Sequence, residues 1–282
     1  MTILDHKIDF AVIFSVRNAN PNGDPLNGNR PRQNYDGYGE VSDVCLKRKI
    51  RNRLQDMGEK IFVQSEDRAN DGFKSLNDRA DSVPELKKIK ADKKGNADEY
   101  AKIACENWFD VRAFGQVFAF KGDSLSVGVR GPVSLHPAIS LQPVDITSTQ
   151  ITKSVNSVTG DKKGSDTMGM KHRVDFGVYK FVGSINTQLA EKTGFTNDDA
   201  EKLKEALLSL FENDASSARP EGSLEVHKVF WWEHNSKLGQ YSSAKVHRSL
   251  QVEMSEDEKT FREEAIILNE LEGLKVYEFD GK

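Results

Sequence analysis

The sequence predicts an α+β domain whose elements run strand, helix, two strands, helix, strand. That is the order of a ferredoxin-like or RNA-recognition-motif-like core, though other α+β layouts share it. Three observations predict it. Residues 7–17 alternate as a strand should, residues 42–57 carry an apolar stripe at helical spacing, and a second amphipathic stretch at 196–211 precedes a run of aromatic and β-branched residues at 223–233.

In the first strand Ile8, Phe10, Val12, Phe14 and Val16 take one face, and Asp9, Ala11, Ile13, Ser15 and Arg17 take the other. The Asn-, Gly- and Pro-rich stretch from Asn18 to Pro31 predicts a long loop without regular structure. Ser42 is placed to cap the first helix. Asp43 falls in its first turn, Leu46, Ile50, Leu54 and Met57 form its buried stripe, and Gly58 ends it. Residues 58–107 read as an insertion, rich in charge, with a loop-like lysine stretch over 87–95 and a short helix from Ala97 to Trp108. Gln116–Phe120 and Ser124–Arg130 read as the central hairpin around Lys121-Gly122-Asp123. Residues 131–173 are too thinly apolar for a central strand pair. They predict an extended, protruding hairpin with a mobile tip from Val158 to Met168. A strand from Val174 to Ile185 follows, then a helix over 196–211 opened by Thr196 and Asp199, then the strand Ser223–Glu233. Last, Ser255-x-x-Glu258 predicts a helix with Phe261, Ala265, Leu268 and Leu271 inward.

The 282 residues are long enough to bury a substantial core. No apolar run approaches the roughly 18 residues of a membrane span, and the charge-interrupted N-terminus does not read as a signal peptide. Cys45 and Cys105 are too few for a disulfide scaffold or a cysteine zinc site, and fit a reducing cytoplasm. The net charge of −4 is unevenly spread: residues 1–55 carry +3, 56–107 carry −2, 108–182 carry +3 and 183–282 carry −8. Local field governs attraction to a polyanion, so the two basic segments keep nucleic acid open as a partner.

The sharpest local signal is the basic helix Leu46-Lys47-Arg48-Lys49-Ile50-Arg51-Asn52-Arg53-Leu54, with no acidic residue between positions 44 and 55. Lys47, Arg48 and Arg51 form a cationic flank suited to phosphates, because each neutralised phosphate releases a condensed counterion. The competing reading is a merely solvated face. Arg17 and Arg130 are expected together on an open sheet face, beside Ser15, Ser126 and Gly128; alone they read as ordinary surface arginines. The strand Val174–Phe181 shares aromatic character with the base-stacking strand of RNA-recognition motifs but lacks its leading Lys/Arg-Gly pair, so a buried aromatic strand is expected. Trp231 and Trp232 likewise read as core. Phosphate-loop, zinc-helix and nucleophile-elbow motifs are absent, and the six histidines include no pair at i, i+4. No catalytic residue, metal or cofactor is therefore assigned. A lone histidine near a lysine would still suffice for metal-free RNA cleavage.

Four stretches are familiar: Phe14–Asp24, Val41–Asn52, Ser126–Ser134 and Met168–Tyr179. Together they resemble the backbone subunit of the type I-C CRISPR surveillance complex (Cascade), of the RAMP superfamily, over residues 5–254. The resemblance implies a modified RNA-recognition-motif palm over 1–57 and 108–254, a finger-like insertion at 58–107, a thumb hairpin at 138–173, and a C-terminal helix and tail at 255–282. It implies a cytoplasmic, non-enzymatic protein that binds CRISPR guide RNA irrespective of sequence and stacks head-to-tail with its own copies. Other Cascade subunits and the target DNA strand are the further partners. Implied RNA-binding residues are Arg17, Asn18, Asn20, Lys47, Arg48, Lys49, Arg51, Arg53, Arg130, Gln150, Thr152, Lys153, Lys171 and Arg173. The alternative is a metal-free endoribonuclease that processes CRISPR repeat RNA.

Overall fold

The computed structural model describes residues 2–92, 95–120, 125–156, 158–159, 167–255 and 257–282. The first strand is β1 (Ile8–Ala19), and both of its faces are buried up to Val16. The expected loop after it is not wholly irregular. Residues Gly23–Asp24 (β2) and Arg30–Pro31 (β3) pair as a small ribbon around a 3₁₀ turn, which the Asp24 side chain caps by accepting from the Leu26 N–H. A short strand β4 (Tyr38–Val41) leads into α1 (Asp43–Asp56). Ser42 caps this helix through the Cys45 N–H, and Leu46, Ile50 and Leu54 are buried as the spacing predicts.

The insertion is more ordered than its composition suggests. It holds α2 (Leu76–Asp81), α3 (Pro84–Ala91) and α4 (Ala97–Asn107), followed by α5 (Phe109–Phe114). The first part of the stretch expected as a lysine loop, up to Ala91, is thus helical, with Pro84 suited by its fixed φ to start α3 and Leu86 as its buried anchor; Lys93 and Lys94 lie outside the described residues. The hairpin β5 (Gly115–Phe118) and β6 (Val127–Arg130) forms a separate two-stranded sheet, and its expected turn lies outside the described residues. This corrects its placement as the central pair. Phe118 and Val127 instead pack with Phe62, Leu86, Tyr100 and Trp108 in a second hydrophobic core. The insertion and the hairpin therefore share one interior.

The central pair is supplied further along. β7 (Val133–Leu135) and β8 (Ala138–Pro143) both pair with β10 (Met168–Ile185), so residues 138–143 belong to the main sheet and not to a protruding hairpin. Thin hydrophobicity was no obstacle there, because Ala138, Ser140 and Gln142 alternate inward and the two polar residues find partners. The protruding hairpin starts at β9 (Ile146–Thr152), which pairs with the first third of β10; both strands are largely exposed there. Most of the expected mobile tip lies outside the described residues. After β10 come α6 (Thr187–Thr193), then α7 (Asn197–Leu208) with the predicted Thr196–Asp199 capping box formed reciprocally, then β11 (Leu224–Glu233).

The chain ends differently from expectation. Ser255 N–H does donate to Glu258 Oε2 at 2.9 Å, but no helix follows. The chain instead forms α8 (Ser243–Ser249), β12 (Leu250–Val252), a 3₁₀ turn at Glu263–Ala265, β13 (Ile266–Leu268) paired with β12, and β14 (Lys275–Asp280) at the edge of the main sheet. The i, i+3, i+4 spacing coincides with a β-branched run that another strand was available to pair.

All registered pairs in the main sheet are antiparallel, in the order β14-β11-β1-β10-β8-β4. The inner four strands, β11-β1-β10-β8, with α1 before β8 and α6–α7 before β11, reproduce the predicted α+β order. Helices α1 and α7 cover one face, where Phe14 stacks on Tyr179 at 5.3 Å and Phe10 on Trp231 at 5.6 Å. Each such fully buried aromatic contributes about 1.5–3 kcal/mol relative to exposure. Gly183 is required on β10, since a Cβ there would lie 2.4 Å from Phe10 Cζ and 2.6 Å from the Ser134 carbonyl. The second face is not open. Ala11, Ile13, Phe176, Phe230 and Trp232 are sealed beneath Val246, Leu250 and Leu274.

Candidate nucleic-acid interface

The free cationic flank expected on α1 does not exist as such, because carboxylates from its own first turn and from other parts of the chain meet it. Lys47 pairs with Asp43 at 3.0 Å, one turn back. Lys49 is 4% exposed and bonds Asp214; burial pushes its ammonium pKa down, while the Asp214 charge opposes that. Arg51 Nε donates to Asp110 Oδ2 at 2.8 Å, and Arg53 donates to Ser209 Oγ at 2.8 Å and pairs with Glu212 at 2.6 Å. Arg48 Nη1 donates to the Val63 carbonyl at 2.7 Å. Asp110, Asp214 and Glu212 lie 59 or more positions along the chain, so the local absence of acids could not reveal them. The helix fastens the insertion and the 209–219 segment to the sheet, and only part of its charge faces solvent.

Arg17 is exposed at the end of β1, with its guanidinium 4.8 Å over the Phe176 ring and Nη2 donating to the Lys259 carbonyl at 2.8 Å. Arg130 is exposed too, but on the separate β5–β6 sheet. The two arginines therefore do not share one open face. Asn18 is exposed in the left-handed region at φ 53, which a short polar side chain tolerates. Asn20 is buried, its Nδ2 donating to the Asn29 carbonyl at 2.7 Å, and so holds the β2–β3 ribbon in place.

The β9–β10 arm gathers the remaining candidates. Its register pairs Thr147 with Arg173 and Thr149 with Lys171 on one face. The other face pairs Ser148 with His172, Gln150 with Met170 and Thr152 with Met168. Gln150, Thr152, Lys153, Lys171 and Arg173 are all exposed, and Arg173 Nε reaches Asp175 Oδ1 at 3.1 Å. The arm root also brings together three side chains absent from the sequence assignment. Arg30 Nη1 donates to Ser148 Oγ at 2.7 Å, and His172 Nδ1 lies 2.8 Å from the same oxygen. Extending the alternation of 146–152 against 168–174 would have paired Ser148 with His172. Nothing local pointed to Arg30.

One polar cluster is centred on a carboxylate closed to solvent. Asp9, fully buried, meets His234 Nε2 at 2.9 Å, Lys7 Nζ at 3.1 Å and His247 Nε2 at 3.4 Å. His234 and His227 do not act together: His234 bonds Asp9, whereas His227 stacks on Phe261 at 4.5 Å. Val174, Phe176, Val178, Tyr179, Phe181 and both Trp231 and Trp232 are core residues. Among the described residues no group of three or more His, Cys, Asp or Glu is placed to hold a metal ion, and no helix is long and apolar enough to cross a membrane.

The chain is 28% identical over 235 residues to CRISPR-associated protein Cas7 of Haloferax volcanii, a match covering 77% of this chain and 67% of that protein. Two solved structures resemble part of this chain. One is described as a CRISPR RNA-guided surveillance complex, pre-nicking (TM-score 0.49, 17% identity, 80% of this chain and 78% of that one). The other is described as a CRISPR RNA-guided surveillance complex (TM-score 0.46, 16% identity, 80% and 68%). The family model described as CRISPR-associated protein Cas7 matches residues 6–268, a span that takes in the main sheet apart from its edge strand β14, the insertion and the arm, and the chain belongs to that family.

Proposed function

We propose that this chain is the repeating, non-enzymatic subunit of a type I-C CRISPR surveillance complex. In that role it binds guide RNA without regard to sequence and presents it to complementary DNA. Family membership supports the reading, and the observation that carries it is the arm: a two-stranded ribbon exposed on both faces, with Lys171, Arg173 and two threonines along one of them. Such a surface offers charge and hydroxyls to phosphate and sugar, the contacts that leave a guide's base edges free to pair. Arg17, Asn18, Arg130, Gln150, Thr152 and Lys153 are the further exposed contacts. The basic residues of α1 serve mainly by fixing the insertion and the 209–219 segment. The palm is the main sheet with its helices, the finger is the insertion, and the thumb is the arm. Head-to-tail stacking of copies sets the acidic last third of one against basic surface of the next, alongside other subunits in the cytoplasm.

The reading is tested by titrating labelled guide-length RNA with the protein at low and moderate salt, each sample also run on a denaturing gel. Intact RNA, binding indifferent to sequence and a steep loss of affinity with salt are expected. Cut RNA would favour a metal-free endoribonuclease instead. Reversing Lys153, Lys171 and Arg173 to glutamate should weaken binding for all sequences alike and lower the log–log salt slope by about 2, at roughly 0.7 per phosphate contact. An unchanged slope would remove the arm from the interface.

A further inference from the structure

The arm root carries cationic and hydrogen-bonding groups on both faces; the reading above takes Lys171 and Arg173 from one of them and only the uncharged Gln150 and Thr152 from the other. On the other, Arg30 reaches across from β3 to Ser148, and Ser148 is bonded to His172. An arginine has donors and no acceptor, so Ser148 Oγ must accept from it. Two arrangements of the remaining hydrogens are then open. Either the serine hydroxyl donates to His172 Nδ1, leaving the neutral ring's N–H at Nε2, or His172 Nδ1–H donates to the serine, leaving the hydroxyl hydrogen over. Both end the chain of bonds on a spare donor, and Arg30 keeps further N–H groups beyond the one used. No carboxylate takes part. The nearest acid on the ribbon, Asp24, pairs with Arg32 at 3.4 Å and accepts from the Leu26 N–H. The cluster thus has a positive charge and a surplus of donors in a half-exposed position, which is the complement of an anionic oxygen.

We propose that Arg30, Ser148 and His172 form a phosphodiester-binding subsite for the guide RNA, on the face of the arm opposite Lys171 and Arg173; the proposal rests on the guide-RNA reading above. Arg30 supplies the charge, and Ser148 and His172 supply directed hydrogen bonds that hold the guanidinium where the arm meets the ribbon. Because Arg30 and Ser148 are 118 positions apart, the subsite exists only when the ribbon is folded against the arm. The buried Asn20, bonded to the Asn29 carbonyl beside Arg30, fixes that placement.

The experiment is a methylphosphonate walk, in which guide-length RNAs each carry one neutral linkage at a different position. Binding is measured for the unaltered protein, for Arg30→Gln and for Lys171→Gln. Neutralising the phosphate held by this subsite should cost the unaltered protein about fivefold in affinity at 0.1 M salt, from a slope of roughly 0.7 per contact. Arg30→Gln should bind the all-phosphate RNA about fivefold less tightly per bound copy and be indifferent to the one linkage that this subsite holds in each copy's segment, while staying sensitive at the linkages that Lys171→Gln ignores. Arg30→Gln with unaltered affinity and salt slope would overturn the proposal. So would a loss felt equally at every linkage, which would make Arg30 a brace for the arm and no more. Failure of the unaltered protein to bind RNA at all would instead overturn the guide-RNA reading on which the subsite rests.

Discussion

Asp110→Ala should destabilise the protein by about 3–5 kcal/mol, the range for removing one partner of a buried ion pair. Asp110 is 1% exposed, and its two oxygens take three donors: Arg51 Nε at 2.8 Å, the Phe62 N–H at 2.7 Å and the Val63 N–H at 3.1 Å. These come from α1 and from the segment entering the insertion, so one carboxylate joins the two hydrophobic cores. Alanine would leave a guanidinium and two backbone donors without an acceptor in a dry place. Asp110→Asn keeps an oxygen for one or two of them and should cost less than alanine. Urea unfolding monitored by tryptophan fluorescence measures both. A loss below about 1 kcal/mol for alanine would mean that water reaches the joint and replaces the carboxylate. The same geometry predicts that Arg51→Glu acts first on folding, so any effect on RNA must be read against stability.

Asp9→Asn should produce a loss of similar size, about 3–5 kcal/mol, but one that depends on pH. Burial alone would raise the Asp9 pKa. The hydrogen bond from His234, the proximity of His247 and Ser243, and the charge of Lys7 outweigh that and hold it far below the usual carboxylate range. A carboxylate depressed in the folded state contributes stability that is fully present above its unfolded pKa, near 3.9, and is lost as pH falls toward the folded value. The gap between the unaltered protein and Asp9→Asn should therefore be constant from neutral pH down to about 5 and close below about 4. Denaturant titrations at a series of pH values would show it. A gap that widened on acidification would mean that the histidines, and not the carboxylate, dominate the cluster.

These two carboxylates also show where reading the sequence stops. Elements whose evidence is local were legible: the alternation of β1, the Ser42 cap and apolar stripe of α1, the Thr196–Asp199 box of α7, the aromatic strand β11. Each depends on contacts within a few residues. What failed was assignment between equivalent local signals. The β5–β6 hairpin and the β7–β8 segment both read as extended, and only packing decides that Phe118 and Val127 face the insertion while Ala138, Ser140 and Gln142 enter the main sheet. At the C-terminus a formed capping bond at Ser255 led nowhere, because β12 offered Ile266–Leu268 a partner. The candidate interface fared likewise. Charge density on α1 was visible, but its counter-ions Asp110, Asp214 and Glu212 sit far along the chain. Arg30 reaches the arm only through a ribbon that the loop's composition argued against. The arm residues Lys153, Lys171 and Arg173 came from family resemblance, and the register sorts them.

Strand β10 runs for 18 residues, and its first third lies in the arm while the rest lies in the main sheet. That continuity restricts how such an arm could change in length over evolution. An insertion or deletion near Val174 would shift every following residue of β10 by one register step and turn Phe181 onto the second face, against Leu250, in place of Lys180. Changes are tolerable only beyond Thr152 and before Met168, at the far end. There an added residue leaves Lys171, His172 and their partners on the faces that the root of the arm gives them. Relatives with longer or shorter arms should thus differ at that end, with the two strands lengthened or shortened together.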